Sequence, residues 1–251
     1  MNTLLNNELF RRFVSILFLV LIWEIASKII GDKIILPSPI NVIESIKYHI
    51  SQDLFYHVYI TLFRVFTAFF LAMIIGSAIG IVMGRRKKLD DYFDGWLILA
   101  LNIPALVTII LCFIWFGLNE VAAILAVAIN KIPTVTVILR EGTKAIDKKL
   151  VEVGKIYRKS RFEIIKEILI PQLFPYFISA ARSGLALIWK IVLVVELLGR
   201  SNGVGFKISE FFSMFDTTSI LAYTLIFVLI IMSIEWFLIK PCEKKLTEWR
   251  L

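Results

Sequence analysis

An all-α, polytopic membrane protein with six transmembrane helices is the fold class this sequence predicts, and three observations predict it. Hydrophobic residues make up 59% of the 251, with 20 phenylalanines, and mean hydropathy is +0.82, more apolar surface than a water-soluble domain can bury. Apolar stretches close to the ~20 residues needed to cross a bilayer core of about 30 Å recur along the chain. Each stretch is continuously apolar, without the alternation over ~10 residues of barrel strands, so helices are selected.

The spans are expected at 13–30, 59–83, 96–117, 121–139, 172–198 and 220–240. The first contains Glu24 and Lys28 and lacks a small-residue cleavage site, so it reads as a retained helix and not a signal peptide. Leu36-Pro37-Ser38-Pro39 follows, and its two prolines favour an extended turn. The segment 40–50 then reads as a short amphipathic helix on the outer surface. Span two places Ala72, Gly76, Gly80 and Gly84 at every fourth position, a smooth stripe that lets another backbone approach closely. Pro104 and Pro133 lie in spans three and four, where neighbours must satisfy the freed carbonyls, and such kinks suit a protein that moves. Without a repeat or a long linker, the chain divides into an amino-terminal helix with its outer segment (1–55), a transmembrane domain (56–240) and a short tail (241–251).

The net charge of +8 reports topology and not nucleic-acid binding. With the amino terminus inside, the cytoplasmic stretches carry 19 Lys and Arg residues against 4 outside (Lys33, Lys47, Arg200 and Lys207). The inner set includes Arg11, Arg12, the run 85–88, the loop 140–166, and Lys240, Lys244, Lys245 and Arg250. Positive charge marks the cytoplasmic side, so both termini are expected there. Cys112 lies within span three and Cys242 beyond span six on the reducing side, so neither a disulfide nor a metal cluster is indicated.

The stretch 141–175 reads as two short helices and a proline stop. Ile146, Leu150, Val153 and Tyr157 share one helical face, with Lys148, Glu152, Lys155 and Lys159 opposite. Such a helix rests on lipid headgroups or inserts into a groove on a soluble partner, and periodicity does not separate the two.

Around this loop the chain resembles the permease subunits of binding-protein-dependent ABC importers, in the branch serving nitrate, sulfonates and taurine. Glu152 stands at the acidic position of that family's cytoplasmic signature, and Ile168-Leu169-Ile170-Pro171 supplies its close, with Pro175 after it. Val153 and Gly154 stand in place of two alanines and Arg158 in place of a glycine. The resemblance runs from Trp23-Glu24 through His57, Thr61-Leu62, Arg64-Val65 and Ile103-Pro104-Ala105 to Trp115-Phe116-Gly117. It continues through Arg182, Trp189 and Glu196 to Gly203-Val204-Gly205.

What it implies is a type I importer permease fold in the bacterial cytoplasmic membrane, two permease subunits side by side, two ABC ATPases beneath, and a periplasmic or lipid-anchored solute-binding protein. The helix carrying Glu152 would sit in a cleft of the ATPase, with Gly154 where backbones touch, Tyr157 as apolar anchor and Arg158 as a further contact. ATP and magnesium would belong to that partner.

Ionisable residues inside spans are functional candidates, because an unpaired charge in hydrocarbon costs at least ~2.5 kcal/mol. Arg64, Lys131, Arg182, Lys190 and Glu196 qualify. Arg182 and Glu196 fall near one face of span five, with Lys190 between them in depth, placed to attract an anion. Lys190 and Glu196 equally suit pairing with neighbouring helices or snorkelling. No Gly-x4-Gly-Lys-Ser/Thr loop is present to cradle ATP phosphates in this chain. His49 and His57 are eight apart with no second ligand at metal spacing, and His57 reads as a cap or interface residue. The reading from another class is an ion-coupled secondary transporter or channel working without an ATPase, although related halves are not evident.

Overall fold

The computed structural model describes residues 8–239 and Pro241, with the side chains of Glu8, Leu9, Arg12, Phe13, Leu238 and Ile239 left aside. Lys240, Cys242, Lys244, Lys245, Arg250 and the tail expected at 241–251, apart from Pro241, lie outside the described residues. The described chain is helical. Helix α1 spans Glu8–Ile30, α2 Pro39–Ile50, α3 Leu54–Arg85, α4 Lys87–Asn102, α5 Ala105–Phe116, α6 Glu120–Lys144 and α7 Lys148–Ile156. Next come α8 over Arg161–Gly199, α9 over Val204–Ser213, and α10 over Thr217–Ile234, which continues as a π turn, Glu235–Ile239.

Helices α3, α6, α8 and α10 are each long and apolar enough to cross a membrane. The third expected span is different, because α4 and α5 form a pair bent by 94°. Pro104 therefore breaks the span where a kink was expected. Ile103 is extended (φ −71°, ψ 122°), the conformation a following proline enforces, and Pro104 starts α5. Pro133, by contrast, lies buried within an unbroken α6. Helix α1 keeps most of its apolar side chains exposed and is tied on by Trp23 Nε1–H donating to Pro37 O (3.0 Å) and Ser27 Oγ–H donating to Leu36 O (2.9 Å). The second proline of Leu36-Pro37-Ser38-Pro39 opens α2 rather than extending the turn. Pro39 sits where no helical N–H is needed, and Ser38 caps the helix by accepting from Asn41 N–H.

The core is a seam between α3 and α6. A Cβ on Gly76 would stand 2.7 Å from Val135 Cβ, and one on Gly84 2.6 Å from Thr143 Cβ. Only hydrogen fits at these crossings, so the stripe brings the two backbones together as its spacing predicts. Thr136 Oγ1–H reaches across to Gly76 O at 3.3 Å. Around the seam, Val65, Ala68, Ile109, Ala126, Ile188 and Val192 join α3, α5, α6 and α8 in one apolar cluster.

The expected proline stop is also corrected. Helix α8 runs without interruption from Arg161, capped by a Ser160–Glu163 capping box, through Pro171 and Pro175 to Gly199. A π turn over Ile165–Leu169 makes this possible, with Ile170 N–H donating to Ile165 O. The wider turn relieves the clash that a proline ring makes with the carbonyl four residues back.

Candidate functional site

Three regions hold the candidate residues. The first is α7, at the basic end of the molecule. Asp147 begins it by accepting from Lys149 N–H, and its own N–H donates to Gln172 Oε1 at 2.8 Å, fixing α7 to α8. Gly154 is the buried residue of α7, its hypothetical Cβ only 2.7 Å from Ile168 Cδ1. The close approach expected of Gly154 is thus made to this chain's own α8. The helix also presents Leu150, Val153, Ile156 and Tyr157 to the outside, the last two each 77% exposed. Glu152, one turn before Ile156, is exposed as well and makes no ion pair among the described residues. Arg158, at the family's glycine position, adopts φ +53°, and its N–H donates to Lys155 O while Lys159 N–H donates to Gly154 O. That left-handed residue closes the helix end, a task glycine performs without strain. Lys159 and Glu167 pair across the turn, and Ile170 and Pro171 sit on α8 just beyond the π turn, Ile170 exposed.

The second region is a buried polar centre near the opposite end. Glu196 is entirely buried and pairs with groups on neighbouring elements, one of the two readings its spacing allowed. Its carboxylate accepts from Arg64 Nη1–H (2.7 Å), Thr61 Oγ1–H (2.9 Å) and Gly205 N–H (2.8 Å). Arg64 in turn donates to Glu120 from Nε (2.6 Å) and Nη2 (2.9 Å), and to Asn202 O from Nη1 (2.8 Å). Arg200 adds Nη2 to Glu120 at 2.7 Å and Nη1 to Leu118 O at 2.8 Å. The polar atoms that make the centre are gathered from α3, the loop into α6 and its start, the end of α8, the loop after it and the start of α9.

Gly203 and Gly205 exist for this centre. Gly203 holds φ +108°, and a side chain there would collide with the Glu196 carboxylate. Gly203 N–H donates to His57 Nδ1 at 2.9 Å, which leaves the proton on Nε2 to meet Asp53 at 3.2 Å. His57 is an interface residue, as read from sequence. Beyond it, Asp53 also pairs with Lys207 at 3.0 Å and accepts from Tyr223 Oη–H at 3.1 Å. Burial pushes the Asp53 carboxyl up, but Lys207 and Tyr223 outweigh it and hold the group at about 2. Burial lowers Lys207, and Asp53 and Glu210 more than restore it, so its ammonium is held above the usual value.

The third region is a groove of about 270 Å³ between α8 and α10, where Arg182 and Lys190 come together with Trp189 and Glu235. Lys190 Nζ stands 5.5 Å from the Trp189 ring. Lys131 is 2% exposed, and its ammonium reaches Ser183 O at 3.4 Å.

Sequence reasoning missed Glu120, Asn202 and Arg200 as members of the centre. The signal available was the need for an anion to accompany Arg64 in a span, but nothing local says which of the chain's 20 acidic residues supplies it.

A glycine-seamed helical core, one broken span and a short outward-facing helix at the basic end together define a type I importer permease fold. A subunit of the MetNI methionine ABC transporter, in an inward-facing conformation, superposes with a TM-score of 0.68 at 18% identity, over 78% of this chain and 96% of that one. A structure titled as an amino acid ABC transporter with histidines gives 0.65 at 19% identity, over 81% and 97%. Residues 72–238 match the family described as binding-protein-dependent transport system inner membrane component. The chain belongs to that family of ABC importer permeases, whose members carry no ATPase site of their own. Similar curated proteins include the putative aliphatic sulfonates transport permease protein SsuC of Bacillus subtilis (strain 168), 29% identical over 92% of this chain and 84% of the relative. The taurine transport system permease protein TauC of Escherichia coli (strain K12) is 24% identical over 90% and 84%. The nitrate import permease protein NrtB of Synechocystis sp. (strain ATCC 27184 / PCC 6803 / Kazusa) is 26% identical over 80% and 76%.

Proposed function

We propose that two copies of this chain form the translocation path of an importer for a small anion of the sulfonate, taurine or nitrate kind in the bacterial cytoplasmic membrane. Two ABC ATPases holding ATP and magnesium dock beneath, and a solute-binding protein delivers the solute from outside. Both termini lie on the cytoplasmic side. The observation that carries this reading is α7, a short helix fixed to α8 through Gly154 and Asp147 while Leu150, Val153, Ile156 and Tyr157 face outward beside Glu152. An apolar face beside an unpaired carboxylate suits a groove on a soluble partner, where Tyr157 is the anchor and Glu152 meets a basic side chain. Ile164, Ile168 and Gln172 support that helix from α8, and Ile170 and Pro171 lie just beyond Ile168. The relatives named for sulfonates, taurine and nitrate favour an anionic solute.

Affinity purification from native membranes, with mass spectrometry of the co-purifying chains, tests the reading. An ATPase is expected with the wild type and is lost or strongly depleted with Glu152→Arg. Uptake of radiolabelled taurine by proteoliposomes of the assembled complex should require ATP inside and the binding protein outside. Uptake that persists without ATP and answers to an ion gradient would establish the secondary-transporter alternative instead.

A further inference from the structure

We propose that the chain carries a specific site for an anionic phospholipid at the basic end of the α3–α4–α6 junction. Two adjoining cavities define it. One, of about 600 Å³, opens between the end of α3, the start of α4, the end of α6 and α7, and is lined by Arg85, Lys87, Lys144 and Lys148 together with Asp90 and Asp91. The other, of about 640 Å³, is lined almost wholly by carbon, including Ile79, Val82, Phe93, Trp96, Ile132 and Pro133. Met83 lines both, so the cationic cleft and the apolar groove lie side by side on the same junction.

The charges in the cleft leave positive valence to spare. Asp90 is satisfied by Lys144 (2.7 Å) and Arg140 (3.3 Å), and Asp94 beside it also pairs with Arg140. Arg85, Lys87 and Lys148 make no ion pair among the described residues, against Asp91 as the one acidic side chain of the cleft without a partner there. Clusters of this kind at the cytoplasmic membrane surface attract phosphate-bearing headgroups. The groove adds what a soluble anion does not need. Its apolar walls adjoin the cluster, and Trp96 and Tyr92, both largely exposed, follow Lys87 and Lys88 on α4, the order of basic and aromatic side chains that suits a membrane interface. A headgroup phosphate on Arg85, Lys87 and Lys148 would place one acyl chain along Phe93, Trp96 and Pro133. Charge complementarity and the adjacency of a cationic cleft to an apolar groove thus commit the site to a phospholipid rather than to a free anion or a protein surface.

The full-length chain, purified in mild detergent and offered dioleoylphosphatidylglycerol, dioleoylphosphatidylcholine or inorganic phosphate, tests this by native mass spectrometry. Phosphatidylglycerol should be retained in preference to phosphatidylcholine, and Arg85→Gln/Lys87→Gln should weaken its retention by about tenfold or more while leaving phosphatidylcholine unchanged. Both residues are exposed, and an unaltered circular dichroism spectrum and elution volume would show that the variant is folded. In parallel, p-benzoylphenylalanine placed at Leu97 in native membranes should give, on illumination, an adduct with the mass of a phospholipid. The proposal is overturned by equal retention of the two lipids, by retention indifferent to the double variant, by phosphate displacing the lipid at equimolar concentration, or by a Leu97-position adduct with a second copy of the chain or another protein.

Discussion

Arg64 Nη1 donates to Glu196 Oε1 over 2.7 Å in a site where the two side chains are 1% and 0% exposed. This pair, from helices α3 and α8, sits at the middle of the polar centre that also holds Glu120, Thr61, Asn202 and Gly205. Buried pairs of this kind add little over an apolar replacement of both partners, but removing one partner leaves a charge without an answer. Glu196→Ala is expected to destabilise the protein by about 3–5 kcal/mol, seen as a lower thermal unfolding midpoint in detergent. Glu196→Gln keeps an oxygen for Arg64 yet turns an amide toward Gly205 N–H, so it should fall between wild type and Glu196→Ala. Equal midpoints for all three would show that the centre does not hold the helices together.

The glycine seam makes a contrast testable within one chain. At Gly80 an added methyl meets backbone, with Thr136 O about 2.5 Å and Arg140 N 3.0 Å away. Backbone does not step aside as a flexible side chain does. Gly80→Ala should therefore lower stability by about 1–3 kcal/mol, whereas Gly95→Ala on α4, where nothing lies within 4 Å, should be neutral or slightly stabilising. Fluorescence-detected thermal melts of the two variants decide it.

Arg158 presents a site where the sequence works against its own backbone. A left-handed φ of +53° costs a residue with a Cβ roughly 1–2 kcal/mol. Arg158→Gly should raise the melting midpoint, and Arg158→Val should lower it further than any other exchange there. If Arg158→Gly melts lower than wild type, the arginine is making a contact whose worth exceeds the strain.

Acid sensitivity should reside on the outer face. His49 accepts or donates to Ser219 at 2.9 Å and packs against Tyr48, Phe211 and Tyr223. Burial lowers its pKa below the ordinary 6.5, Asp216 and Asp53 partly oppose this, and Lys207 adds to it. The unfolded chain thus binds a proton that the folded chain resists, so stability falls as pH drops from about 6.5 toward the folded value. Asp53, held at about 2, contributes above its ordinary 3.8 and loses that contribution only as pH falls through about 2, well below this window. Melting midpoints between pH 7.5 and pH 5 should decline in the wild type and decline less steeply in His49→Gln. A slope identical in both would place the acid response elsewhere.

What the sequence determined by itself was whatever depends on neighbours along the chain. Continuous apolar runs dictated spanning helices, charge bias dictated a basic end, the Ala72-Gly76-Gly80-Gly84 spacing dictated a packing face, and the periodicity of 146–157 dictated an apolar stripe, of which Leu150, Val153 and Tyr157 face outward while Ile146 falls before the helix and lines the cleft beside it. Two local expectations were nevertheless altered by tertiary demands. Pro104 breaks its span by 94°, and Pro171 stops nothing because a π turn absorbs it. The arrangement of ionisable residues was beyond any local rule. Spacing left Glu196 open to a path or to a partner on a neighbouring helix, and it is fully buried against Arg64, 132 positions away, while Arg64 reaches Glu120 and Asn202 at separations of 56 and 138. A charge inside the membrane requires a partner, but helix periodicity specifies only the face it leaves from. Which distant segment meets that face is set by how the helices pack, and only the tertiary structure decides that.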